Sequence, residues 1–128
     1  MVKVTMSQVL TLRQNIGLFL SQKLPLPVAY KLNKINNATR KEADFYQDKF
    51  NEIVERYAKK DENGDLVFSE DGEQIIIKED LVGECNDALE ELLDLEIEID
   101  NLGLTIDAFG DNIECTATEI DAIVPFLD

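Results

Sequence analysis

Between Pro27 and Lys60 the sequence has no internal glycine and no further proline, and this run constrains the fold more than any other feature. Val28, Leu32, Ile35, Phe45, Ile53 and Tyr57 mark an interrupted apolar stripe along it, so the spacing predicts one long helix. At 1.5 Å per residue it would extend about 50 Å. The polar middle, Asn33 to Asp44, contains Asn36, Asn37, Thr39 and Glu42, which predicts that this part leaves the core or bends.

Upstream, Leu24-Pro25-Leu26-Pro27 forces a corner, because proline lacks an amide donor and restricts the residue before it. Thr5 and Ser7 are N-cap candidates for a first helix whose face Val9, Leu12, Ile16, Phe19 and Leu20 runs on to Leu24. Folded back on the long helix, it makes a helical hairpin.

Downstream, Asn63-Gly64 favours a tight primed turn. With Leu66-Val67-Phe68, the turn Glu70-Asp71-Gly72 and Ile75-Ile76-Ile77, it reads as a β-hairpin. Asp80 is positioned to cap a third helix reaching Leu93, with Leu81, Cys85, Ala88, Leu89 and Leu92 inward. Leu95 to Asp100 alternates apolar and acidic residues, as a strand does, and Leu104-Thr105-Ile106 is placed to pair with it across Asn101-Leu102-Gly103. Thr116-Ala117-Thr118-Glu119 fits a capping box for a short closing helix that groups Ile120, Ile123 and Val124. These elements predict an α+β fold. An N-terminal helical hairpin with a long second helix leads into a β-hairpin, an acidic helix, short strands and a short C-terminal helix.

The 128 residues suit one domain, divided into a basic helical hairpin over 1–60 and an acidic α+β section over 61–128. The first sixty residues carry eleven Lys/Arg against five Asp/Glu, and the rest carry one Lys against twenty-two Asp/Glu. Arg13, Gln14, Asn15 and Gln22 interrupt the first apolar stretch, so no signal peptide is expected, and no window approaches the roughly 20 apolar residues of a membrane span. A cytosolic, non-membrane protein is the expectation.

The chain has no histidine, and Cys85 and Cys115 stand far apart, which excludes ordinary Cys/His zinc spacings and a histidine base. Both cysteines read as small buried apolar side chains. Asp61-x-Asn63-x-Asp65 matches the start of an EF-hand loop, but Leu66 stands where the glycine belongs and Gly72 where the bidentate glutamate belongs. A solvated turn is the reading that remains. With no phosphate loop and no nucleophile elbow either, we expect no catalytic residues, no metal and no cofactor.

Asp80, Glu84, Asp87, Glu91 and Asp94 fall at alternating four- and three-residue spacing on one stripe of the third helix, broadened by Glu90. Like charges so placed cost roughly 0.2 to 0.5 kcal/mol per pair unless cations face them. Glu96, Glu98 and Asp100 follow on one face of the strand, about 6.7 Å apart. A continuous array of this kind can imitate a nucleic-acid backbone for a partner that binds phosphates. Glu84, Asp87, Glu91, Asp94, Glu96 and Glu98 are therefore the candidate partner-binding residues. The competing expectation is that Lys31, Lys34, Lys41 and their neighbours neutralise the array, within the fold or in a homo-oligomer. Direct nucleic-acid binding is disfavoured by the net charge of −15.

Leu24-Pro25-x-Pro27-Val28-Ala29-Tyr30-Lys31-Leu32 opens a helix that ends at Tyr57 before an acidic turn, and Ile120 leads to the finish Pro125-Phe126-Leu127. This layout resembles small acidic proteins of tailed bacteriophages whose function is unknown. The resemblance implies a phage product made in the cytoplasm of a bacterial host, and it brings no catalytic or binding residues with it. In that setting two roles are expected: a non-enzymatic binder that modulates a host or defence protein, or a virion or assembly component acting through protein contacts.

Overall fold

The computed structural model describes residues 1–111 and 113–128. Its elements are β1 (Val2–Thr5), α1 (Met6–Asn15), α2 (Gly17–Leu20), α3 (Leu26–Tyr57), α4 (Val82–Leu93), β2 (Glu96–Ile99) and α5 (Ala117–Ile123). Short 3₁₀ turns lie at Glu79–Leu81, Ile106–Phe109 and Val124–Phe126. The fold is α+β.

Two compact units are present: Met1–Asp44 with Asp94–Asp128, and Phe45–Leu93. They do not follow the compositional break at residue 60. The second is an excursion from the first, and α3 passes through both.

In the first unit β1 pairs antiparallel with β2, setting Val2 opposite Ile99, Lys3 opposite Glu98, Val4 opposite Ile97 and Thr5 opposite Glu96. Leu104-Thr105-Ile106 is therefore not the partner of this strand. Leu102 (φ 53°) and Gly103 (φ 73°) both adopt left-handed backbone, and the Leu104 amide closes the turn on the Asn101 carbonyl. The chain then enters a 3₁₀ turn and makes no return strand.

The Thr5 cap forms as a full capping box with Gln8, after a strand not predicted from the sequence. The first helix does not run on to Leu24. It divides at Ile16–Gly17 into α1 and α2, and Asn15 turns its amide back onto the Thr11 carbonyl at 2.8 Å. The predicted corner at the prolines follows.

The polar middle of α3 leaves the core only after Thr39: no residue from Arg40 to Tyr57 is buried, but the part before it stays inside. Val28, Leu32 and Ile35 are buried, and so are Asn36 and Thr39. The Thr39 hydroxyl donates to the carbonyls of Ile35 (2.9 Å) and Asn36 (3.0 Å), and the Arg13 guanidinium donates to the Asn36 side chain and carbonyl. Buried polar groups with these bonds cost little.

The core of this unit is made by Val4, Met6, Val9, Leu12, Phe19, Leu32, Ile35, Ile99, Leu104, Ile123 and Phe126, all nearly inaccessible. α5 packs on α1 and begins at the predicted box, the Thr116 hydroxyl accepting from the Glu119 amide at 3.2 Å. The closing apolar group is not as predicted: Val124 is exposed, and Ala122, Ile123 and Phe126 are the buried residues. Asn101, fully buried, donates to the carbonyl of Phe126 (3.1 Å) and to Asp128 (2.9 Å) and accepts from the Gly103 amide.

In the second unit both predicted turns form, and Phe68 bridges Ile75. Asn63 does not take the left-handed backbone of a primed turn, since the Asp61 carboxylate accepts the amides of Asn63 (2.9 Å) and Asp65 (3.0 Å) and leaves only Gly64 at positive φ. A third segment, 58–60, bridges both others through Ala58–Ile77 and Lys60–Leu66. The Val67 amide donates to Lys59, Ile76 to Val67 and Lys59 to Ile76, at 2.8–3.1 Å. This closed ring of three bonds explains why isolated bridges replace a continuous ladder. Asp80 does not cap α4 but sits within the preceding 3₁₀ turn.

Replacing Asn101 with leucine keeps the branched outline but adds bulk, strands the Phe126 carbonyl and removes the acceptor of the Gly103 amide. Urea unfolding should show a loss of about 2–4 kcal/mol.

Candidate functional site

α4 is amphipathic. Cys85 and Leu92 are buried, Ala88, Leu89 and Leu93 are half-buried, and Glu84, Asp87, Glu90 and Glu91 are exposed. No lysine or arginine follows Lys78 anywhere in the chain, so this helix has no cation of its own to offset the stripe. Glu84 lies in the first turn, where the helix dipole favours a carboxylate; Glu90 and Glu91 lie in the last turn, where it does not. Asp87 and Glu91 are like charges at i,i+4. The array thus opposes the stability of the helix that carries it.

The six sequence-predicted residues are divided between the units. Glu84, Asp87 and Glu91 belong to the second, and Asp94, Glu96 and Glu98 to the first; all six are exposed. The strand carboxylates have a different setting from those of the helix. Glu98 faces Lys3 across the sheet, the favourable arrangement for a cross-strand pair. Glu98 and Asp100 also line an open groove of about 530 Å³ whose other wall is Lys34, Arg40 and Lys41 of α3. The Lys34 ammonium lies 5.4 Å from the Tyr30 ring. Within this unit, anionic strand and cationic helix line the same groove without a direct ion pair among the described residues. Lys34, Asn37, Ala38 and Lys41 recur at helical spacing, a signal in the sequence that could have located this wall.

In the second unit no described lysine or arginine forms an ion pair with an α4 carboxylate. Among the described residues the one ion pair is Lys49–Glu52, at 3.2 Å and well exposed. The acidic loops are organised by their own hydrogen bonds. The Asp71 carboxyl is held below the usual carboxylate range, first by the Ser69 hydroxyl and then by the Glu73 amide. Asp61 is engaged by the amides of its own turn. Among the described residues no group of three or more Cys, Asp and Glu side chains is arranged to hold a metal ion. No described helix is long and apolar enough to cross a membrane.

Sequence reasoning missed an apolar groove of about 400 Å³ in the second unit, where Phe50 and Val54 face Ile75, Ile77, Cys85 and Leu89. Its walls come from three separate segments, and no local pattern announces such a juxtaposition. No protein-family model matches the chain, and neither a curated protein nor a solved structure does.

Only one cysteine is buried as the sequence predicted: Cys85 is 3% exposed, whereas Cys115 lies on the surface. Burial pushes the Cys85 thiol up. A group whose folded pKa is raised contributes stability that is complete below its unfolded value, about 8.5, and that is lost as pH climbs towards the folded value. The difference in urea midpoint between wild type and Cys85→Ala should therefore shrink between neutral and alkaline pH. At neutral pH a thiol reagent should modify Cys115 at once and Cys85 only at the rate at which its unit opens.

Proposed function

We propose that the protein is a non-enzymatic binder that docks the acidic face of its second unit on a cationic surface of another protein and so modulates it. The observation that carries this reading is the exposed stripe Glu84, Asp87 and Glu91, which no described cation pairs and which weakens its own helix. An element kept against its own stability is accounted for by a task outside the fold. The unit reinforces the stripe, with fifteen Asp/Glu against five Lys/Arg over 45–93. Such a surface steers a positive partner electrostatically and competes with phosphates for it. In the setting that the phage resemblance implies, the partner is a nucleic-acid-binding host or defence protein, and the effect is inhibition. Asp94, Glu96 and Glu98 belong to the first unit, where Glu98 stands opposite Lys3 and shares a groove with Lys34, Arg40 and Lys41, and the proposed surface does not include them.

A second reading, assembly through copies of this chain or other phage proteins, is favoured by Leu26 and Tyr30, which stand one helical turn apart on α3 and are 82% and 58% exposed.

Reversing Glu84, Asp87 and Glu91 to lysine should leave the far-ultraviolet dichroism unchanged. It should also abolish the salt-sensitive capture of a basic protein from bacterial lysate. Capture that survives the reversal counts against the acidic surface. A stable oligomer in light scattering that dissociates on Tyr30→Glu would instead establish assembly.

A further inference from the structure

Fourteen of the seventeen buried apolar side chains among the described residues lie in the first unit; the second buries only Ala58, Cys85 and Leu92. Its remaining apolar residues are left partly open. Phe50, Val54, Ile75, Ile77 and Leu89 are half-buried around the 400 Å³ groove, and Phe68, Ile76 and Val82 are exposed. The groove is well over twice the ~150 Å³ that accommodates a benzene-sized guest, so it has room for more than one aliphatic side chain. Its margin is anionic: Glu73 lies on the lining itself, and Glu90 is one helical turn beyond the lining residue Asn86.

We propose that this groove receives the apolar face of a cationic amphipathic helix from a partner protein. This deepens the acidic-surface reading and rests on it. Leucine-sized side chains of the incoming helix enter between α3 and α4, and its lysines or arginines reach the carboxylates of the unit. Two of the three walls are helices, so the ridges of a third helix find grooves of matching pitch. Charge complementarity selects the occupant, since a net-negative helix would meet Glu73 at the lining and a unit whose fifteen Asp/Glu outnumber its five Lys/Arg. A second copy of this chain does not supply it. The basic part of α3 is its obvious cationic helix, but Val28, Leu32 and Ile35 there are already buried in their own core.

The test uses the full chain and a capped peptide of leucine and lysine in helical amphipathic order. At about fourteen residues the peptide would be roughly 21 Å long as a helix. A peptide of the same composition, reordered to remove the helical period, is the control. Calorimetry at about 50 mM and about 500 mM NaCl separates the screened from the unscreened contribution, and methyl spectra locate the contact. The ordered peptide should bind about tenfold more tightly than the control, and more so at high salt, where only the apolar contribution persists. It should also shift the methyl signals of Val54, Ile75, Ile77 and Leu89. Leu89→Asn should lower its affinity about tenfold; if that variant loses its dichroism, Ile75→Asn takes its place. Equal binding of the two peptides with the groove methyls unmoved would overturn the groove and leave the acidic surface standing. No binding of either peptide at low salt would remove both readings.

Discussion

The pairing of β1 with β2 is the contact on which the rest of the structure depends. It joins residues 2–5 to residues 96–99, and the Met6 amide extends it by bonding the Leu95 carbonyl at 2.9 Å. Closing so long a stretch of chain costs entropy that rises only slowly with length, so an excursion of the size of residues 45–93 is tolerated between the two parts of the first unit. Side chains on both sides of the closure make the core, from Val4 and Met6 at one end to Ile99, Ile123 and Phe126 at the other. Asn101 then holds the last turn onto the end of the strand.

Local signals were the most legible in the sequence. The glycine-free run gave α3, the Thr116 box gave α5, and alternation gave β2. Each of these rests on the hydrogen-bonding or packing habits of neighbouring residues, so a single sequence carries it. What could not be read was the partner of β2. Asn101-Leu102-Gly103 looks like a hairpin turn and does take left-handed backbone at two positions, but the buried Asn101 side chain commits the chain to a different course. The first half of the polar middle of α3 misled for a related reason. Asn36 and Thr39 count as surface residues in any hydropathy pattern, and only Arg13, 23 residues away, and the helix's own carbonyls make their burial acceptable.

The candidate site was legible in part. Carboxylate spacing identified the outer stripe of α4, and the exposure of Glu84, Asp87 and Glu91 agrees with it. Spacing could not reveal that Glu98 would face Lys3 and share a groove with Lys34, Arg40 and Lys41, because those neighbours come from distant parts of the chain. The apolar groove of the second unit was hidden for the same reason. The second unit therefore combines a thin core with a dense negative charge and leaves part of its apolar surface accessible.

The unbroken course of α3 has a kinetic consequence. Residues 45–57 are too few to hold helical structure by themselves, since starting a helix fixes several dihedral angles for a single hydrogen bond. Here that start has already been made at Val28, Leu32 and Ile35, inside the core of the first unit. The distal turns add onto an existing helix end one bond at a time, so this part of the second unit can lose and regain order without a fresh nucleation event, which α4 still requires. The first unit thus seeds one of its neighbour's two helices.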